Sequence, residues 1–286
     1  MYLVDAVVQG ILLGGLYALF AAGLSLVFGV MRLVNIAHGD FIVLGAYVAL
    51  MVVSLTGLHP FLSLILVIPV MAAIGYALQR FILERTMGPD VLPPLLVTFG
   101  CAVIIQNGLL ALFSTDAQRL SAGPIETASL PVAGISLGVL PLITFGLAVA
   151  LIAGLEVVFF RSRAGRAFRA TSDDPETAET IGVDTRHIFA LAMALSFAVI
   201  AIAAVLLAAR SNFDPFSGPA RLLYGFEAVI IGGLGNLWGT LAGGIVLGVA
   251  QTLGAQVSPS FQILAGHLAF FLILALRPRG LFPRMD

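Results

Sequence analysis

Long apolar runs alternate with short polar intervals along most of the chain. A helix needs about 20 apolar residues to cross the hydrocarbon core of a bilayer. Six runs approach or exceed this length: Ala6 to Met31, Phe41 to Leu55, Pro60 to Leu83, Leu95 to Phe113, Val139 to Phe160 and Ile188 to Ala209. We predict that each is a membrane-spanning helix, and that Pro69 kinks the third because proline has no N–H to donate.

The last third of the chain is apolar but is divided differently. Between Tyr224 and Leu276 the only charged residue is Glu227, accompanied by one histidine, His267. The glycines predict two short segments that meet near Gly235-Asn236, followed by a final span from Phe261. The whole pattern predicts an all-α, polytopic membrane bundle of about nine crossings, with broken or re-entrant segments. All 286 residues would form this one transmembrane domain.

Composition also indicates a membrane protein. Hydrophobic residues make up 60% of the chain and charged residues 10%, whereas charged residues are about 25% of a soluble domain. All fourteen basic residues are arginine, and a net charge of −1 gives no reason to expect a nucleic-acid partner. Cys101 is the only cysteine and forms no intrachain disulfide. The apolar run after Asp5 has no evident cleavage site, and we interpret it as a retained helix.

The arginines predict which side of the membrane each loop faces, because short cytoplasmic loops are enriched in basic residues. The polar interval from Arg161 to His187 holds five arginines and is assigned to the cytoplasm. Alternation of the helices then places eleven arginines on that side: Arg32, Arg80, Arg85, Arg161, Arg163, Arg166, Arg169, Arg186, Arg277, Arg279 and Arg284. Arg119, Arg210 and Arg221 face outward, as does the N-terminus.

The same polar interval, residues 161–187, predicts a short helix. Asp174 suits the N-cap, and Pro175 suits the first helical position, where a backbone N–H would have no partner. Gly182 can adopt the left-handed conformation that ends a helix. A capped helix in a cytoplasmic loop is a candidate docking element. The alternative interpretation is an ordinary solvated loop of balanced charge.

A polar segment, Asn35-Ile36-Ala37-His38-Gly39-Asp40, separates the first two apolar runs. Polar groups at membrane depth are costly and often mark a transport pathway or a broken helix. We therefore take Asn35, His38 and Asp40 as candidate pathway residues. In the simpler alternative, Asp40 caps the second helix and Asn35 forms a hydrogen bond with a free backbone group at the end of the first. His38 then lies in the membrane–water interface. Weaker candidates, equally explained by interhelical hydrogen bonds, are Gln106, Asn107, Glu227 and Asn236.

Glycines recur at intervals of four residues in the last third of the chain. They are Gly235, Gly239 and Gly243 and, one position over, Gly244 and Gly248. In a membrane, such spacing lets two helix backbones approach closely and predicts a packing seam. The seam could lie within the chain or between subunits. We favour a seam within the chain or beside the transport pathway, because Asn236 next to it would be costly against lipid. The alternative is that glycine is simply common in membrane helices.

Several functional classes lack the residues that they require. A Walker A loop needs a lysine, which this chain does not contain, so it is not itself a P-loop ATPase. An HExxH motif and Cys/His clusters are absent from the sequence as well. Ion-coupled carriers usually hold carboxylates deep in their spans, whereas Glu156 and Glu227 lie near predicted span ends. The pattern favours transport driven by a partner protein.

Three motifs follow one another along the chain. They are Asn35-Ile-Ala-His-Gly-Asp-Phe-Ile-Val-Leu-Gly-Ala-Tyr47, then Gly165-Arg-Ala-Phe-Arg-Ala170 with Ala178-Glu-Thr-Ile-Gly-Val183, and finally Ala228-Val-Ile-Ile-Gly-Gly-Leu-Gly-Asn236. Together they resemble the permease subunits of bacterial ATP-binding-cassette (ABC) importers for branched-chain amino acids. The resemblance is to the shorter of the two permease types and covers essentially the whole chain.

The resemblance implies a set of partners and a role for the short helix. This helix would be the coupling helix that docks on an ATP-binding subunit, through Asp174, Glu176, Thr177, Glu179, Ile181 and Gly182. A second permease subunit, two ATP-binding subunits and an extracytoplasmic binding protein would complete an importer in the bacterial inner membrane. ATP and Mg²⁺ would bind to the partner subunits, and this chain would need no cofactor or metal and would not be an enzyme.

Two other functions stay open at this point. A permease of the same type could carry urea, a short amide or another small solute, because the family motifs are poor guides to the substrate. A stand-alone channel or ion-coupled carrier is the more distant alternative.

Overall fold

The computed structural model describes residues 2–88, 90–132 and 134–282, and it is mostly helical. Its α-helices are α1 (Tyr2–Met31), α2 (His38–Thr56), α3 (Pro60–Ala77), α4 (Leu92–Phe113), α5 (Val139–Arg161), α6 (Arg163–Asp173), α7 (Pro175–Thr180), α8 (Thr185–Arg210), α9 (Gly218–Gly232), α10 (Leu237–Val257) and α11 (Phe261–Leu276). A π-helical turn (Leu78–Ile82) and a 3-10 turn (Leu83–Thr86) extend α3, and another 3-10 turn covers Gly123–Glu126. Strands β1 (Ser129–Val132) and β2 (Ile135–Gly138) form a short antiparallel hairpin that was not predicted.

Seven of the described helices are long and apolar enough to cross a membrane: α1, α2, α3 with its extension, α4, α5, α8 and α10. Helices α9 and α11 are shorter, with 15 and 16 residues. The prediction of an all-α, polytopic bundle with short segments is confirmed, and its count is approximately right. One detail was wrong, because α10 has 21 residues and is a full-length helix instead of a short segment.

Local sequence explains several helix ends. Gly57 ends α2 with φ 68°, a left-handed conformation that glycine adopts without steric cost. His59 caps α3 by accepting a hydrogen bond from the N–H of Phe61, and Pro60 occupies the first helical position. The helix continues through Pro69 to Ala77. These ends depend on residues that are close in sequence.

Two helices form the centre of the bundle. In the most apolar 18-residue window, 83% of α1 and 72% of α8 are buried, whereas the shares are 17% in α4 and 22% in α5. Helix α1 packs against α5, α8, α9 and α10, and α8 also packs against α2 and α3. Since α4 and α5 are apolar but largely exposed within this chain, they offer surfaces to lipid or to another subunit.

The bundle has two distinct ends. The β1–β2 hairpin precedes α5 and helices α6 and α7 follow it, so they lie at opposite ends of a 23-residue helix about 34 Å long. We call these the hairpin end and the α7 end. The described arginines that were assigned to the cytoplasm follow α1, α3 or α11, or lie in and around α6 and α7. Arg284 lies outside the described residues.

Candidate functional site

Helix α7 forms as predicted, with Asp174 as its N-cap. The Oδ1 atom of Asp174 accepts hydrogen bonds from the backbone N–H groups of Glu176 and Thr177, both at 3.1 Å. The Thr177 hydroxyl donates to Oδ2 at 2.5 Å. These bonds, above all those from Thr177, hold the pKa of Asp174 below its usual range because they stabilise the ionised carboxylate. Gly182 has φ 87°, the left-handed conformation expected after the helix.

Helix α7 is anchored on one side and exposed on the other. Ala178 is buried, and its carbonyl oxygen accepts a hydrogen bond from the N–H of Val183 at 3.1 Å. The Thr185 hydroxyl donates to the carboxylate of Glu179, which ties the helix to the start of α8. Ile181 is 73% exposed, and the other candidate docking residues are exposed too. An apolar side chain on an acidic, exposed helix suits contact with another protein.

Helix α6, which was not predicted, connects α7 to the bundle. A Cβ at Gly165 would overlap two backbone carbonyl groups of the last turn of α5, so the two helices lie in direct backbone contact. Phe168 is buried, and its ring stacks on Phe159 with 5.3 Å between centroids. The Ser172 hydroxyl donates to the carbonyl oxygen of Gly29, near the end of α1, at 2.7 Å. Movement of α7 is therefore constrained by contacts with both α1 and α5.

The polar segment after α1 returns the chain into the bundle. Residues 32–37 are not helical, and α2 begins at His38. The Nε2 atom of His38 lies 2.8 Å from the carbonyl oxygen of Phe20, which is far from the end of α1 at Met31. Helix α2 therefore starts inside the bundle, as a broken helix does. The interpretation of His38 as an interfacial residue was wrong, because it is 1% exposed.

Asp40 and Asn35 are both buried but have different partners. The Oδ1 atom of Asp40 accepts a hydrogen bond from Nε2 of Gln106 in α4 at 2.8 Å. Ala37 occupies the N-cap of α2 and no side chain caps that end, so the alternative role of Asp40 as a cap was wrong. The side chain of Asn35 accepts a hydrogen bond from the N–H of Ala37 at 3.0 Å. This bond lies within the segment after α1, so it does not support the alternative in which Asn35 bonds to the end of α1. The structure thus brings together two candidate pathway residues, Asp40 and Gln106.

The remaining candidate pathway residues lie apart from these two. Asn107 is exposed on α4 and donates to a carbonyl group of its own helix at 2.8 Å. Glu227 is 2% exposed, with Oε1 2.5 Å from Nδ1 of His267 on α11. It lies inside α9 (Gly218–Gly232) and not near a helix end, so its expected placement near a span end was wrong. Asn236 caps α10 by accepting a hydrogen bond from a backbone N–H at 2.8 Å. His267 was not a candidate, although it was the one histidine in the same apolar region as Glu227.

The glycines of α10 form a packing seam inside this chain. A Cβ at Gly239 or Gly243 would overlap backbone atoms of α9, and a Cβ at Gly244 or Gly248 would overlap those of α1. We call the contacts of these four residues the glycine seam. The preference for an internal seam agrees with these contacts. Gly235 precedes α10 and has φ 77°, so it lies outside the helical stripe, but a Cβ there would come within 3.2 Å of the Cα atom of Gly29 in α1.

Two cavities in the bundle were not foreseen. One, of about 380 Å³, opens at the α7 end between α1, α5, α6 and α10. Trp238 in its wall donates a hydrogen bond to Glu156, and the guanidinium of Arg169 lies 5.2 Å from the ring centre of Phe160. The other cavity, of about 250 Å³, lies between α1, α8 and α9. Each is built from helices that are distant in sequence, so no local motif marks it.

Comparison with known proteins gives consistent matches. A family model described as the permease component of the branched-chain amino acid transport system matches residues 6–276. The chain is 29% identical to the high-affinity branched-chain amino acid transport system permease protein BraD of Pseudomonas aeruginosa, over 98% of this chain and 95% of the relative. The corresponding permease protein LivH of Escherichia coli K12 is 27% identical, over 100% of this chain and 97% of the relative.

A second permease protein of Escherichia coli K12, LivM, is also similar. It is 26% identical over 94% of this chain and 68% of its own length. The apolar helices and these relatives together make the chain a multi-pass membrane protein. Because the family model matches nearly the whole sequence, the chain belongs to the permease component family of the branched-chain amino acid transport system.

Proposed function

We propose that this chain is a permease subunit of an ATP-driven importer and lines the route by which branched-chain amino acids cross the bacterial inner membrane. The observation that carries the proposal is the family match over residues 6–276. Helix α7 supports the proposal. A permease without a P-loop binds no ATP itself, so the motion driven by ATP binding and hydrolysis in a partner subunit must reach it through a rigid contact. That helix is capped and exposed, and Glu179 ties it to the start of α8.

The proposal includes four further subunits. A LivM-like chain is the second permease, and LivM itself resembles this chain. Two ATP-binding subunits bind ATP and Mg²⁺ and contact α7 through the exposed side of the helix, including Glu179 and Ile181. An extracytoplasmic binding protein delivers the amino acid at the hairpin end. Transport then belongs to the assembly, and ATP hydrolysis to the partner subunits.

The contacts of α6 suggest how the motion is transmitted. When the ATP-binding subunits close, they displace α7, and packed helices respond as rigid bodies. The hydrogen bond from Ser172 to Gly29 joins α6 to the last part of α1. The broken segment 32–37 follows directly and leads to His38 and Asp40 at the start of α2. A shift of α1 would thereby change the contact of Asp40 with Gln106.

The coupling role is tested by placing positive charges on the exposed side of α7, in place of one acidic and one apolar side chain. We expect Glu179→Arg with Ile181→Arg to abolish leucine uptake and receptor-stimulated ATP hydrolysis in proteoliposomes, because both groups would oppose the docking contact. Membrane insertion should be unchanged. The matched control is Glu179→Asp with Ile181→Val, which keeps an acidic and an apolar side chain at the same two exposed positions. Wild-type uptake in the α7 variant would contradict the proposed role.

The transported solute is tested with the complete assembly. We expect the binding protein to bind leucine, isoleucine and valine, and the assembly to carry them, in the presence of ATP. Binding of urea or short amides in their place would support the alternative solute class. Uptake without any ATP-binding subunit would support a stand-alone channel or carrier.

The proposed orientation is tested by thiol labelling in sealed cells with Cys101→Ser. Ser129→Cys, exposed at the hairpin end, should react with a membrane-impermeant reagent added outside. Thr180→Cys, exposed on α7, should not react. Thr180 is a better position than Ser172, which is hydrogen-bonded to Gly29. Labelling of Thr180→Cys in sealed cells would reverse the orientation.

A further inference from the structure

The 250 Å³ cavity between α1, α8 and α9 carries two arginines. Arg210 is the last residue of α8, and Arg221 lies in the first turn of α9. The floor of the cavity includes Tyr17, which lies about midway along the 30-residue helix α1, and Phe20. The cavity therefore reaches from the hairpin end to the middle of the bundle. Both arginines were assigned to outward-facing loops, whereas the structure places them partly buried around this cavity.

Neither guanidinium is neutralised within the described part of the chain. The three ion pairs found there join other groups. The Nη1 atom of Arg210 is buried and has no hydrogen-bond partner among the described residues. No described carboxylate lines the cavity, and Glu227, farther along α9, is already paired with His267. Intramembrane cations are costly unless a partner or a water-filled path compensates them, so an anion is the expected occupant.

The other residues that line the cavity are mostly apolar or aromatic. They include Leu13 and Phe20 of α1, together with Leu207 of α8. The Tyr17 hydroxyl donates to Oε1 of Gln251 at 2.6 Å, and its ring lies 4.9 Å from that of Tyr224. Two cationic groups beside an apolar wall match a small molecule with a carboxylate at one end and an aliphatic chain at the other.

We propose that this cavity binds the carboxylate of an aliphatic amino acid during its passage, with Arg210 and Arg221 as the carboxylate-binding residues. A guanidinium can donate two parallel N–H groups to one carboxylate, which orients the ligand as well as binding it. The aliphatic side chain then contacts the α1 wall. This inference rests on the proposed function and adds to it a specific site on the pathway.

The first test measures leucine uptake by the reconstituted assembly with its binding protein and ATP. We expect Arg210→Gln and Arg221→Gln each to lower uptake at least tenfold, about the effect of removing one charge-assisted contact. Arg221→Lys should retain more uptake than Arg221→Gln, because it keeps the charge. Arg119→Gln is the matched control, because Arg119 also lies near the hairpin end but pairs with Glu126. Leucine uptake by the assembly with this variant should stay at the wild-type level.

The second test does not depend on the arginine variants folding. Ser211 lines the cavity and is replaced in Ser211→Cys, in a Cys101→Ser background. We expect L-leucine to slow the reaction of this thiol with a charged reagent, and leucinol, which has an alcohol in place of the carboxylate, to leave the rate unchanged. Equal protection by both compounds, or by neither, would overturn the inference.

The arginine variants also distinguish a carboxylate site from a surface that docks the solute-binding protein. If the glutamine variants bind the solute-binding protein more weakly, in proportion to lost uptake, the arginines form a docking surface and the inference is wrong. If both variants transport leucine like the wild type, it is wrong as well. If the wild-type assembly does not carry leucine at all, the proposed function fails, and the Ser211→Cys protection experiment still decides whether the cavity binds an aliphatic carboxylate.

Discussion

Helix α7 and the glycine seam are both compact helical features, but they are stabilised in opposite ways. The cap of α7 comes from Asp174, which bonds to Glu176 and Thr177 next to it in sequence. The glycine seam joins α10 to α1 and α9, and two of its partner residues, Gly10 and Gly14, lie more than two hundred positions earlier. An exposed, self-capped helix can be altered while the bundle stays folded, whereas the seam cannot. Docking and packing are therefore separable by mutation.

The largest expected effect follows from filling the glycine seam. A side chain at Gly243 would overlap the carbonyl group of Ala228, so Gly243→Leu must separate α9 from α10. We expect a loss of stability at or above the upper end of the roughly 1–3 kcal/mol typical of overpacking. The measurement is the amount of folded chain in membranes, together with its melting temperature in detergent.

Gly146→Leu in α5 is the matched control for Gly243→Leu. Gly146 also lies inside a long helix, but a Cβ there has no neighbour within 4 Å. This variant should accumulate and melt like the wild type. If Gly243→Leu and Gly146→Leu behave alike, backbone contact at the seam does not stabilise the bundle, and the contrast with α7 disappears.

A smaller effect is expected from the buried Glu227–His267 pair, which joins α9 to α11. Glu227→Leu leaves the imidazole of His267 without its partner, and the side chain of His267 is 26% exposed while that of Glu227 is 3% exposed. We expect a loss of about 1–3 kcal/mol, the cost of leaving one polar group unsatisfied. Thermal unfolding in detergent measures it.

The double variant Glu227→Leu with His267→Leu sharpens this test. Replacing both partners removes the unsatisfied group, so the double variant should be more stable than Glu227→Leu alone. The single variant His267→Leu completes the comparison. If the loss of stability in the double variant equals the sum of the losses in Glu227→Leu and His267→Leu, the hydrogen bond between these residues contributes nothing to the packing of α9 on α11.

The same contrast explains what could be predicted from sequence. Helix α7 was predicted correctly because Asp174, Pro175 and Gly182 act on neighbouring backbone groups. The membrane helices were predicted because their length and apolar composition are local properties too. The internal seam could be favoured because the spacing of Gly239 and Gly243 and the cost of exposing Asn236 are both visible in the sequence.

The failures involve contacts between residues far apart in the chain. His38 could not be placed beside Phe20 without knowing that the chain re-enters the bundle after α1. Glu227 was judged only from its position in one run, and its partner His267 belongs to another helix. Helix α6 was missed because its arginines suggested a solvated loop, while its buried Phe168 depends on contact with α5.

The smallest expected effect comes from removing the cap of α7. Asp174→Ala deletes the acceptor for two backbone N–H groups, so we expect faster hydrogen exchange in α7 and a partial loss of leucine uptake, smaller than that of the Glu179→Arg/Ile181→Arg variant. The melting temperature of the bundle should not change. Asp174→Asn is the matched control, because asparagine caps helices about as well as aspartate.

The sign of the pH dependence follows from the lowered pKa of Asp174. A carboxylate with a depressed pKa contributes its full stabilisation above the ordinary aspartate pKa of about 3.9, and loses it as the pH falls through the lowered value. The contribution of the cap to protection of α7 from hydrogen exchange, after correction for the intrinsic rate, should thus be constant between about pH 6 and 8. If Asp174→Ala leaves exchange in α7 unchanged, contacts with α6 and α8, and not its own cap, hold this helix in shape.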